Sequence, residues 1–225
     1  AALDANTTGD QNTACGNNSL GANTTGNYNS ALGTQALINN TTASSNTALG
    51  AFALLTNTTG QYNVAVGAYS LYSNTSADQN TAVGYKALED NTTSVNGTAI
   101  GYEALKVNTG ANNTAVGAGV LIANTSGTQN VGVGSLCLDA NTTASQNTGI
   151  GYASLSANTT GEFNTALGHS SLINNSTGST NTAAGYEALK ANTTASNNTA
   201  FGSQALETNT TGDRNVAVGV EALNS

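Results

Sequence analysis

Thirteen glycines punctuate this chain at almost constant spacing: Gly16, Gly33, Gly50, Gly67, Gly84, Gly101, Gly117, Gly134, Gly151, Gly168, Gly185, Gly202 and Gly219. Eleven of the twelve intervals are 17 residues, and the one from Gly101 to Gly117 is 16. That short interval holds Asn108-Thr109-Gly110 where the other copies read Asn-Thr-Thr or a close variant. A fixed period of this size is the signature of a solenoid, in which each repeat adds one coil to a continuous core.

Seventeen residues are too few for two helices and a turn, and the recurring NTTG and Gly positions would break a helix. Extended at about 3.3 Å per residue, one repeat traces a loop of about 56 Å. The expectation is an all-β chain: a parallel β-solenoid, or β-roll, of about 13 coils with two short strands per coil. One strand is the Asn80–Gly84 type (NTAVG) and the other the Tyr186–Leu189 type (YEAL). Thirteen coils at about 4.8 Å each would stack to about 60 Å. The repeats run from residue 1 to 225, so a single domain is expected.

Composition narrows the function. Only 7% of residues are charged, against about 25% in an ordinary soluble domain. Regularly placed apolar residues argue for order rather than disorder. The net charge of −8, from 4 Lys+Arg and 12 Asp+Glu, leaves no basic patch for nucleic acid or an anionic membrane surface. No apolar run is long enough to span a bilayer. The absence of a signal peptide and of an initiator Met reads as a processed chain or a segment of a longer one.

Reading like positions down successive repeats gives columns. The asparagine that opens the turn (Asn6, Asn23, Asn40 and on to Asn209) never fails, and the one that closes it (Asn12, Asn29, Asn46 and on to Asn215) fails only at Gly97. An asparagine amide can donate to one neighbouring coil and accept from the other, so ladders are expected. Before each closing glycine stands an apolar column: Cys15, Leu32, Leu49, Val66, Val83, Ile100, Val116, Val133, Ile150, Leu167, Ala184, Phe201, Val218. One residue earlier is alanine, except at Gly132 and Gly149.

Adjacent strand residues face opposite ways, and a narrow roll can bury only one face. Which face points inward is open. The other is an apolar stripe longer than a monomer usually exposes, so association along the roll is expected. A Leu column (Leu3, Leu20, Leu37 and on to Leu223) marks the second buried position. The positions beside it vary freely, as a solvent face does. Lys86 with Glu103, Glu89 with Lys106 and Lys190 with Glu207 are expected to pair across coils as register marks. Tyr85 and Tyr102 are placed to stack.

Little here resembles catalytic chemistry. His169, the one histidine, lies in a variable column and reads as a surface residue. No Asp column repeats as a calcium-binding roll requires, and two cysteines with one histidine make no zinc site. No phosphate-loop pattern occurs. No enzyme activity, cofactor or metal is expected. Cys15 and Cys137 sit seven coils, about 34 Å, apart, too far to bridge. They read as two buried free thiols, with a bridge between chains as the alternative.

Twelve of the thirteen turns are formal N-glycosylation acceptors: Asn6, Asn23, Asn40, Asn57, Asn74, Asn91, Asn124, Asn141, Asn158, Asn175, Asn192 and Asn209. Two readings stand: a row of N-linked or Thr-linked glycans coating an exposed turn, or triplets generated by the Asn ladder and Thr β-propensity alone. A further reading from the Thr columns is ice binding or another surface ligand.

At NTAVGYKAL (Asn80–Leu88), GTAIGYEAL (Gly97–Leu105) and NTAAGYEAL (Asn181–Leu189) the chain resembles the repeats of trimeric autotransporter adhesin heads, and more closely those of phage-type tail fibres. The resemblance covers nearly all 225 residues, although the adhesin heads use a somewhat shorter repeat. It implies a left-handed parallel roll, often trimeric, serving as a stiff extracellular fibre or adhesive head on a cell or virion, with no catalytic residues. Expected partners are other copies, joined laterally; the uncapped repeats at both ends are expected either to be covered by flanking sequence or to stack end to end. Glycans or a cell surface are the further partners.

Overall fold

The computed structural model describes residues 1–224. It forms two compact units, Ala1–Asn112 and Asn113–Ser225, divided within the single 16-residue repeat. Both are parallel β-solenoids, so the chain is all-β. The first unit carries β1 (Thr13–Cys15), β2 (Ser30–Leu32), β3 (Thr47–Leu49), β4 (Val64–Val66), β5 (Thr81–Val83) and β6 (Thr98–Ile100). The second carries β7 (Thr114–Val116), β8 (Val131–Val133), β9 (Thr148–Ile150), β10 (Thr165–Leu167), β11 (Thr182–Ala184), β12 (Thr199–Phe201) and β13 (Val216–Val218).

Within each unit every strand pairs in parallel with the next in chain order, like residue on like residue. Ala31 faces Ala48 and Leu32 faces Leu49 in the first unit; Ala166 faces Ala183 in the second. A shift by one residue would turn every alanine outward, so the alternation fixes the pairing.

Each coil has one three-residue strand, not the two expected. The YEAL-type segment is a run of overlapping tight turns. In the coil after β2, Ala36 N donates to Gly33 O, Ile38 N to Gln35 O and Asn40 N to Leu37 O. The third residues of the first two turns, Gln35 (φ 57°) and Leu37 (φ 52°), adopt the left-handed conformation, as type II turns require. The left-handed leucine recurs in every coil from Leu3 to Leu223, which explains why no β-branched residue enters the column. A left-handed L-residue costs about 1–2 kcal/mol, and a β-branched chain there is a far worse outlier. Burying a leucine returns about 1.5–3 kcal/mol, and Leu37 N also donates to Ala53 O of the next coil at 3.0 Å.

The core is built from two inward columns. Strand alanines such as Ala48, Ala82 and Ala166 are fully buried, as are leucines such as Leu54, Leu88 and Leu172. Small residues between them, such as Ala53 and Ala87, complete it. The question the sequence left open is thereby answered: alanine points in, and the Val/Leu/Ile column points out.

Candidate functional site: the outward strand face and the asparagine ladders

The outward face of the strands presents two columns, threonine first and an aliphatic residue two positions on. In the first unit Leu32, Leu49 and Ile100 are 49%, 41% and 39% exposed. In the second unit Ile150, Leu167 and Phe201 are exposed likewise. The alanine between each pair is too small to draw either outer residue inward, so the stripe follows directly from the strand's alternation. Cys15 belongs to this column and is exposed, which corrects the expectation that both thiols are buried. Cys137 is buried. Its Sγ lies 3.0 Å from Ser154 Oγ, and burial pushes its pKa from 9.0 up to about 11.

The turns on another side carry the ladders. Asn40 Nδ2 donates to Asn23 Oδ1 at 2.8 Å in the preceding coil and to Ala43 O at 3.0 Å in its own. Asn40 Oδ1 in turn accepts from Asn57 Nδ2 at 3.1 Å. The turn-closing asparagines form a second ladder. Asn63 N donates to Asn46 Oδ1 at 3.0 Å, while Asn63 Nδ2 reaches Ala77 O of the following coil at 2.8 Å. The Asn40 and Asn63 amides each bridge the coils on both sides, as amide chemistry suggested. In a dry stack such bonds contribute about 0.5–1.5 kcal/mol each and leave few groups unpaired.

A third ladder was missed in the sequence. Three residues after the first turn threonine, a short polar side chain accepts a backbone N–H from the coil before wherever Asn27, Ser44, Asp78, Ser145, Ser179, Ser196 or Asp213 fills the position. Asn27 N donates to Ser44 Oγ at 3.0 Å, Gln61 N to Asp78 Oδ1 at 2.7 Å, and Ser179 N to Ser196 Oγ at 3.0 Å. The only signal was a frequent Asn, Ser or Asp in a column that Gln61, Val95, Ala111 and Glu162 made look random. One coil breaks the first ladder: Asn74 Oδ1 and Ser94 Oγ are buried without a partner, where Ser94 stands in a position held elsewhere by Gly or Ala.

The ladders overturn the premise that the acceptor asparagines stand on an exposed turn. Asn23, Asn40, Asn57, Asn74, Asn91, Asn124, Asn141, Asn158, Asn175 and Asn192 are all buried, and Asn6 and Asn209 are half-buried. Their Nδ2 atoms, the atoms a sugar would take, are spent on the ladder or on the turn's own carbonyl, as at Asn158 and Asn175. What is exposed is the second hydroxyl of the turn, for example Thr25, Thr42, Thr59 and Thr160.

The variable columns hold rings and charges. Tyr85 and Tyr102 stack with centroids 5.7 Å apart and planes 19° apart. His169 is exposed, lies 5.1 Å from Tyr152 and 5.6 Å from Tyr186, and its Nδ1 is 2.9 Å from Ser170 Oγ. Lys106 reaches Glu89 at 4.0 Å and Lys190 reaches Glu207 at 3.4 Å across coils. Lys86 does not pair with Glu103; it turns to Glu89 of its own coil at 3.1 Å, because positions three apart face each other across the tight turn. Lys190 donates to Glu187 at 3.0 Å, and this bond holds the Glu187 carboxyl below its usual range.

Among the described residues no three His, Cys, Asp or Glu side chains gather where they would hold a metal ion. No helix there is long and apolar enough to cross a membrane. Compared with protein-family models, curated proteins and solved structures, the chain matches none.

Proposed function

We propose that this chain is a structural segment of an extracellular fibre or adhesin, held to other copies of itself through the outward aliphatic stripe. The observation that carries the reading is the stripe: an outward apolar column in each unit in which Leu32, Leu49, Ile100, Ile150, Leu167 and Phe201 stand exposed, with only Cys15 and Ala184 smaller than valine. Monomeric proteins seldom leave so regular an apolar surface in water. A second copy offers the same coil spacing and the same chemistry, so layers of like residues meet. The motif resemblance to tail fibres and adhesin heads supports the same reading and favours a trimer.

Cys15 supplies the test, since it lies in the stripe and Cys137 does not react while buried. With copies side by side and in register, Cys15 of one meets Cys15 of the next, and a short thiol cross-linker joins chains at that residue. Sedimentation gives the number of copies, and Leu49→Asp with Leu167→Asp is expected to return single chains that keep their β spectrum. Wild-type chains that sediment as monomers at every concentration, with no Cys15 cross-link, overturn the proposal.

The alternative is a surface that binds ice or another regular ligand. It draws on the outward threonines Thr47, Thr81, Thr98 and Thr165, although Ser30, Val64, Val131 and Val216 interrupt their column. Thermal hysteresis by the unassembled chain would favour it, and none would remove it.

A further inference from the structure

We propose that Tyr85 and Tyr102 are a site of oxidative cross-linking, at which a dityrosine bond welds two successive coils of the first unit. Tyr85 follows β5 and Tyr102 follows β6, so the two side chains occupy the same column one coil apart. Their rings are nearly parallel, 19° apart, with centroids 5.7 Å apart. A near-parallel pair at that separation is an offset stack, with ring edges in contact. Both phenols leave equivalent backbone positions one coil apart, so coupling requires only that rotation about their side-chain bonds bring the carbons beside the two hydroxyls together. Both rings are open to a solvent oxidant, 43% and 56% exposed.

The other aromatic contacts lack one of these properties. Tyr69 meets Tyr85 edge-on at 6.1 Å, and Tyr69 and Tyr72 are tilted by 47°. Phe52, stacked on Tyr69, has no hydroxyl. Tyr152 and Tyr186 are separated by the ring of His169. Among the described residues the geometry therefore singles out one pair.

The chemistry needs a one-electron oxidant, and the class we name is a haem peroxidase with hydrogen peroxide. Each phenol gives up one electron and its hydroxyl proton to become a phenoxyl radical. The two radicals join through the ring carbons next to their oxygens, forming one C–C bond. The hydrogens on those carbons then move to the oxygens, restoring two phenols. Peroxide accepts the two electrons and two protons and leaves as two waters. The product is the intact chain lighter by two hydrogens.

The weld rests on the side chains of one chain and is independent of whether copies assemble. The test treats the full chain, kept dilute, with peroxidase and peroxide, and follows biphenol fluorescence. Cleavage after Lys86 and Lys106 separates the two tyrosines. The expected product is therefore residues 1–86 joined to 87–106 at the summed mass less two hydrogens, with fragmentation placing the link at Tyr85 and Tyr102. Tyr85→Phe and Tyr102→Phe keep the stacked rings and the fold but remove a hydroxyl, and each is expected to abolish that product. The proposal is overturned if no biphenol forms, if links form only between chains, or if Tyr85→Phe leaves the intrachain yield unchanged.

Discussion

Cys137 fills the space that Gly149 leaves empty. A β-carbon at Gly149 would lie 2.5 Å from Cys137 Sγ and 3.0 Å from Ser154 Oγ. Twelve residues separate the pair, and the same separation joins Val120 to Gly132, whose β-carbon would meet Val120 Cγ1 at 2.5 Å. Elsewhere both positions are small, as at Ala87 and Ala99. The two exceptions in the strand's alanine column are thus answers to two larger residues in the column it packs against. Gly149→Ala alone is expected to cost about 1–3 kcal/mol by overpacking. Cys137→Ala with Gly149→Ala restores the common Ala–Ala pairing and recovers most of that loss. A double-mutant cycle by denaturant unfolding measures the coupling; additive effects would refute the size match.

The closing glycines are constrained by their neighbours as well as by their own backbone. Gly67 has φ 131°, and a β-carbon there would approach Gly84 O at 2.5 Å. Gly67→Ala is expected to cost about 2–5 kcal/mol, combining left-handed strain with a clash against backbone that cannot swing away. A midpoint shift near zero in thermal unfolding would contradict this.

Thr180 points the other way, toward a gain. It is the one β-branched residue among the left-handed positions just before each turn-closing asparagine, with φ 60°. Asn96, Asn112 and Asn197 hold equivalent positions at φ 60–62°. Thr180→Asn keeps a short, exposed polar side chain and is expected to stabilise by about 1 kcal/mol. Its unfolding midpoint should rise, with no change in the β spectrum.

The two thiols should behave oppositely. At neutral pH a thiol reagent is expected to label Cys15 quickly and Cys137 only after unfolding, giving one fast equivalent per chain. The pKa of Cys137 is about 11 in the fold, against 9.0 for a free thiol. Between those values the unfolded chain loses the proton that the folded chain keeps. The contribution is therefore complete below pH about 9 and declines as pH rises toward about 11. Cys137→Ala should flatten stability across that window, and an unaltered slope would disprove the assignment.

If the acceptor asparagines are closed to sugar, a folded chain secreted from a glycosylating host should keep Asn40, Asn57, Asn141 and Asn158 unmodified, with any added mass confined to exposed threonines. Intact mass against 22.2 kDa, followed by peptide mapping, decides. Occupied internal asparagines on a chain with a native β spectrum would be inconsistent with the ladder.

Period, strand position, both asparagine ladders and the Tyr85–Tyr102 stack were legible because each repeats, or sits one coil from its partner. The second strand was misread because Ala-Leu alternation looks the same in extended chain and in overlapping type II turns. The discriminating sign was the absence of Val, Ile and Thr from the Leu column and from the column two residues before it, which marks left-handed backbone. Inward and outward could not be separated by spacing, since alanine suits a tight core and a crowded surface equally. The triplets suggested an exposed turn because a sequon is defined by residue type, whereas Asn40 and Asn158 are placed inside by stacking.

The ladders also bear on how such a chain ages. An asparagine deamidates when the next residue's backbone nitrogen attacks its carboxamide and closes a succinimide ring. Here that nitrogen is occupied: Thr24 N donates to Thr41 O at 2.9 Å, Ser30 N to Asn46 O at 2.9 Å and Thr47 N to Asn63 O at 2.8 Å. A polymer this rich in the most perishable of side chains stays chemically young for as long as its coils stay stacked.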